Sequence, residues 1–144
     1  MALVAWGVPP AAAQGAAAQA ARSAWDGVYG DAQATRGMQH YSLYCAVCHG
    51  KALEGSGEAP PMTGELVRDW AGMPLSGLFE KIAVTMPLNR PGRLSPDVNA
   101  DILAFLLKAN DFPAGTDLPS DMAALARISL DPVKPAPAKT PQRK

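Results

Sequence analysis

Cysteine is scarce in this 144-residue chain: there are two, at positions 45 and 48. A disulfide between them would close a loop too small to restrict the unfolded chain much, so the pair reads as chemistry rather than scaffold. Net charge is lacking as well. Thirteen Lys and Arg balance thirteen Asp and Glu, which argues against a nucleic-acid binder working by phosphate neutralisation. The apolar run from Met1 is broken by Pro9-Pro10 and is too short for a membrane span. No internal repeat and no strand-like alternation is visible. Histidine is limited to His40 and His49, which restricts any metal site to few ligand sets.

What is present points to one small helical domain with dissimilar ends. Hydrophobic residues make up 48% and charged residues 18%, enough for a core and too apolar for wholesale disorder. Residues 1–24 read as a signal-peptide-like segment, with Ala11-Ala12-Ala13 and Ala18-Gln19-Ala20 offering small-x-small cleavage patterns. They lack a basic start, the first positive residue being Arg22. The expected folded domain is 25–130, small enough to benefit from a covalent or cofactor staple. The tail 131–144 holds Pro132, Pro135, Pro137 and Pro141 and four basic residues against one acid, and is expected to be extended and unpacked.

Three helices are signalled inside the domain. Met38, Tyr41, Tyr44, Cys45 and Cys48 recur at three- and four-residue spacing, and Gly50 ends the pattern. Residues 51–64 carry Gly and Pro without a period and are expected to be loop. Leu75, Leu78, Phe79 and Ile82 mark a second helix, and a turn is expected over Asn89–Arg93. The third is the best delimited. Ser95 is placed as N-cap, Pro96 at the first helical position and Asp97 at the positive end, with Val98, Ile102, Phe105, Leu106 and Ala109 on one face. Ser120 is expected to cap a further short helix ending by Arg127. The fold class is therefore all-α, three to five helices.

Cys45-Ala46-Val47-Cys48-His49 has the spacing of a c-type haem attachment site. Two thiols on one helical turn can reach two porphyrin vinyl groups, and the next residue brings an imidazole to the iron. Thioether formation needs reduced thiols and haem outside the cytoplasm, in keeping with an exported, periplasmic protein. A thioredoxin-like pair would need a βαβ context. A zinc site from His40, Cys45, Cys48 and His49 would ask one helix to turn four side chains to a single point. For a second axial ligand there are six methionines; Met86, after a helix and before a proline, is the best placed, with Met62 and Met73 as rivals. His40 is expected at the surface, and Arg90 and Arg93 as solvated turn residues, the alternative being that they hold a haem propionate or face a partner.

These residues resemble the class I cytochrome c family over about positions 35–109. Gly37 and Tyr41 match its N-terminal helix, and Ile102 with Phe105 its C-terminal one. Pro60-Pro61-Met62-Thr63-Gly64 is similar to the family's Pro-x-Leu-x-Gly element, with Met where Leu is usual. The resemblance implies a cytochrome c fold and one covalent haem c held at Cys45 and Cys48. It implies iron ligation by His49 and Met86, the latter matching the Met-Pro element in Thr85-Met86-Pro87, and a hydrogen bond from the imidazole to the Pro60 carbonyl. A closed, six-coordinate iron implies an electron carrier rather than an enzyme; the alternative is a haem-based sensor or enzyme with a labile sixth ligand. The stretch Ala104–Gly115, with Trp70, resembles small cytochromes that accompany bacterial quinoprotein dehydrogenases. That implies such a dehydrogenase as electron donor and a terminal oxidase or another cytochrome as acceptor.

Overall fold

A computed structural model of the chain describes residues 21–136. The signal-like apolar segment and its cleavage patterns, up to residue 20, and the tail from 137 lie outside the described residues. Six α-helices occur among them: α1 (Asp31–Tyr44), α2 (Ala46–His49), α3 (Glu65–Asp69), α4 (Leu75–Thr85), α5 (Pro96–Ala109) and α6 (Met122–Leu125). The three long ones are those expected. The short helix expected before Arg127 is α6, and the total exceeds five because α2 and α3 are further single turns, too short to show a period. Two-residue strands β1 (Arg22–Ser23) and β2 (Ile128–Ser129) pair in parallel, the only named strands in the described residues. So short a pair has no alternation to read. Arg22–Ala24, on the leader side of the expected boundary, is thus part of the packed structure, and Ala24 is fully buried.

The Ser95 hydroxyl accepts from Val98 N–H and Pro96 stands in the first turn, as the sequence predicts, and α5 runs to Ala109 with Asn110 as its C-cap. Its burial is wider than one face. Ile102 and Leu106 are buried, but so are Leu103, Ala104 and Leu107, because α1 packs on one side of α5 and α4 on another. Leu75, Leu78, Phe79 and Ile82 of α4 are all buried, and α4 leans on both α5 and α6.

The expected face of α1 needs correction. Gln33, Ala34, Gly37 and Tyr41 are its buried residues, whereas Met38 and Tyr44 are 48% and 40% exposed. The reason is a close crossing. A Cβ on Gly37 would overlap the Asp101 carbonyl and crowd Phe105 Cβ, so a residue without a side chain lets the two backbones meet, and the flanking residues turn inward. Arg36 then clasps Asp101 through two 2.9 Å hydrogen bonds, giving a buried carboxylate a bidentate partner. His40 is not simply at the surface. Its side chain is 28% exposed, with Nε2 3.8 Å from Asp101, and its ring stacks on Tyr44.

Residues 110–130 run back over the N-terminal segment. Tyr29 Oη donates to the Phe112 carbonyl at 2.6 Å. The buried Gln33 amide donates to Leu118 O at 2.9 Å and accepts from Leu118 N–H at 2.7 Å. Ser120 does not cap α6. Asp121 does, accepting from Ala124 N–H, while the Ser120 hydroxyl donates to Asp97. Asp131 is still held, by Trp25 Nε1 at 2.9 Å, and Pro132–Ala136 are exposed.

Gly37→Ala should show which effect governs the crossing. Alanine would favour an isolated helix by about 1 kcal/mol, but overpacking backbone against backbone costs about 1–3 kcal/mol. A lower urea midpoint with an unchanged m-value is expected.

Candidate functional site

Helix α1 delivers the Cys-x-x-Cys-His motif. Its C-cap is Cys45, whose N–H donates to Tyr41 O at 2.8 Å, and the same residue is the N-cap of α2. Cys48 and His49 N–H both donate to Cys45 O, at 3.1 and 3.0 Å. The motif is therefore one tight turn that begins where the α1–α5 contact leaves off. Both cysteines are free; Cys48 is exposed and Cys45 half-buried. Burial pushes the Cys45 thiol up to about 11. A dithiol oxidoreductase needs the opposite, a lowered thiol that is already thiolate at neutral pH. The zinc alternative finds no support: no group of three or more His, Cys, Asp or Glu among the described residues is arranged to hold a metal.

His49 is buried, and its ring Nδ1 lies 2.8 Å from the Pro60 carbonyl. A carbonyl only accepts, so Nδ1 carries the proton and Nε2 keeps the lone pair for a metal. The loop that presents Pro60 is pinned at several points. Gly50, at φ 82°, ends α2, and its carbonyl accepts from Tyr41 Oη at 2.8 Å. Gly55 N–H donates to His49 O at 2.8 Å and Met62 N–H to Leu53 O at 2.9 Å. Ser56 and Ala59 form a reciprocal backbone bridge. The sequence anticipated a loop here, but not the single-turn α3 that follows it, nor Asn110 as one of its supports. Asn110 at the end of α5 bonds Met62 O and Gly64 N–H, each at 2.9 Å. No local pattern signals that role, since its partners lie 46 and 48 residues away.

Met86 is the C-cap of α4, with extended backbone and its N–H on Ile82 O at 3.0 Å. It is half-buried. Among its rivals Met62 packs against the core, whereas Met73, Met38 and Met122 are 49%, 48% and 41% exposed. Met1 lies outside the described residues. Trp70 packs against the core over the Gly77 face of α4. Arg90 and Arg93 are exposed and form no ion pair among the described residues.

The helical frame, with α1 crossed on α5 and a Cys-x-x-Cys-His turn at the end of α1, is the architecture of a c-type cytochrome domain. The family model described as cytochrome c oxidase, cbb3-type, subunit III, matches residues 32–106, just over half of the chain, and the chain belongs to that family. No curated protein and no solved structure matches it significantly. The match runs from the start of α1 into α5. It makes the domain a monohaem cytochrome c, with covalently bound haem c as cofactor and haem-based electron transfer as its function. The donor set fits that group: two unpaired thiols on one turn and an adjacent imidazole whose remaining nitrogen is an acceptor.

Burial pushes the Tyr41 phenol up to about 12 from 10.0. Below pH 10 the folded and unfolded chains both keep this proton. As pH rises from 10 towards 12 only the unfolded chain releases it, so stability is lost across that window. Tyr41→Phe should flatten this alkaline decline. At neutral pH it should cost about 1 kcal/mol, because Gly50 O loses its donor. Melting temperatures of both proteins from pH 7 to 12 measure the two effects.

Proposed function

We propose that this protein is a periplasmic carrier of single electrons, with haem held by thioethers at Cys45 and Cys48 and ligated axially by His49 Nε2 and the Met86 thioether. The observation that carries the reading is the His49–Pro60 hydrogen bond, formed on the residue that directly follows the second cysteine. A histidine clamped at Nδ1 presents Nε2 in one orientation and is a stronger donor to a metal. When bound, haem supplies a one-electron iron couple. Met86 is favoured for the second ligand because it ends α4 directly before a proline, matching the Met-Pro element, and is half-buried; Met62, also half-buried, packs against the core, and the other described methionines are exposed. A thioether raises the potential relative to a second nitrogen ligand. With both axial positions taken by side chains, no position is left for a substrate, which favours a carrier over a sensor or an enzyme.

Periplasmic location rests on the attachment chemistry, which requires reduced thiols outside the cytoplasm, and on the signal-like residues before Arg22. No helix among the described residues is long and apolar enough to cross a membrane. Exchange partners are then other redox proteins. A quinoprotein dehydrogenase as donor rests on the resemblance over Ala104–Gly115, most of which lies beyond the matched residues. A terminal oxidase as acceptor is in keeping with the family's description.

The test is absorption spectroscopy with carbon monoxide. The reduced protein should be low-spin and unaltered by the gas; ready binding would instead favour the sensor or enzyme reading. Met86→Ala should bind carbon monoxide and have a lower potential, and an unchanged low-spin spectrum in that variant would move the ligand to Met62 or Met73. His49→Ala should not assemble a native low-spin holoprotein.

A further inference from the structure

The acceptor that orients His49 sits in Ala59-Pro60-Pro61-Met62, and this run has an unusual weakness. Neither proline has an N–H, so no backbone donor can anchor the two residues at its centre. The position of the Pro60 carbonyl is set from outside. On one side stands the Ser56–Ala59 bridge, with N···O distances of 3.0 and 2.9 Å. On the other side Met62 is held twice, through its N–H on Leu53 O and through its carbonyl, which accepts from Asn110 Nδ2 at 2.9 Å.

Asn110 reaches the loop from the far end of α5 and is almost fully engaged. Its Nδ2 donates to Met62 O and, at 2.8 Å, to Leu106 O, and its Oδ1 accepts from Gly64 N–H at 2.9 Å. Two carbonyls face Nδ2 and one N–H faces Oδ1, so the amide has one orientation. A flipped amide would set its oxygen against two acceptors. A helix C-cap needs only the bond to Leu106 O. The other two bonds tie the helix end to residues two and four places beyond Pro60.

We propose that Asn110 is a positioning residue for the axial histidine, holding the Pro60 carbonyl against His49 Nδ1 and so setting the donor strength of His49 Nε2 and the reduction potential. Without the Asn110 amide, the Pro60–Gly64 segment has one fewer anchor on each side of Thr63. The Nδ1–H···O bond then opens more often, the imidazole loses anionic character, and the oxidised iron is less stabilised. The direction follows: a more positive potential and faster exchange of the ring N–H. Ring N–H exchange should be faster by about fivefold, equivalent to about 1 kcal/mol of lost local hydrogen bonding.

The experiment compares the haem-loaded full chain with Asn110→Ala, Asn110→Asp and a distant core variant, Leu125→Ala, chosen on fully buried α6 packing. The readouts are the midpoint potential and the NMR exchange rate of the His49 ring N–H. Asn110→Ala should shift the potential positively and accelerate exchange. Asn110→Asp keeps an acceptor for Gly64 N–H but offers no donor to Met62 O, and should shift both in the same direction. Leu125→Ala should lower the melting temperature while leaving both at wild-type values. Wild-type potential and exchange in Asn110→Ala, wild-type values in Asn110→Asp, or equal shifts in Leu125→Ala would each overturn the assignment. The inference rests on haem ligation by His49. Failure of that reading appears without any Asn110 variant, as a low-spin spectrum that survives His49→Ala.

Discussion

Where α1 and α5 cross, Gly37 lies so near the Asp101 carbonyl that no side chain fits between the helices. Arg36 locks the contact through Asp101, and Tyr41 continues it by packing on Phe105 with ring centroids 5.3 Å apart. The haem-attachment turn starts at the C-cap of the same helix. The placement of Cys45 is therefore a consequence of how α1 lies on α5, four residues beyond the last buried contact. A carboxylate as buried as Asp101 is costly without its partner, so the ion pair favours this crossing over alternatives that would leave it bare.

Helix α5 serves both sides of the histidine. Near its start Asp101 anchors the helix that carries the cysteines, and at its end Asn110 anchors the loop that carries the Pro60 carbonyl. Tyr41 joins the two, since its ring belongs to the crossing and its hydroxyl to the Gly50 carbonyl just after the motif. His49 is thus referenced to one rigid element from two directions. That arrangement suits the axial role proposed for His49, since a ligand that moves little between oxidation states favours electron transfer.

The segment after α5 closes the N-terminal side rather than the haem-binding motif. Its bonds go to Gly27, Tyr29 and Gln33, and further along to Arg22 and Met73. It lies beyond the residues matched by the family model. This strap brings Phe112, Leu118, Leu125, Ile128 and Leu130 into a core that the five matched helices alone would leave open on that side.

Chemistry and local form could be read from neighbouring residues. Cys45, Cys48 and His49 declare themselves by spacing. Ser95, Pro96 and the α5 stripe mark a helix whose cap and ends depend on residues within one turn, and the apolar set of α4 is legible for the same reason. The Pro60 contact to His49 was accessible only through family resemblance, because nothing local aims a carbonyl at a ring eleven residues away. The inward face of α1, the half-buried position of His40 beside Asp101, and the hold of Asn110 on Met62 and Gly64 were decided by tertiary structure alone. Each depends on pairing residues about 46 to 65 positions apart, and a periodic pattern on one helix carries no information about which backbone will be pressed against it.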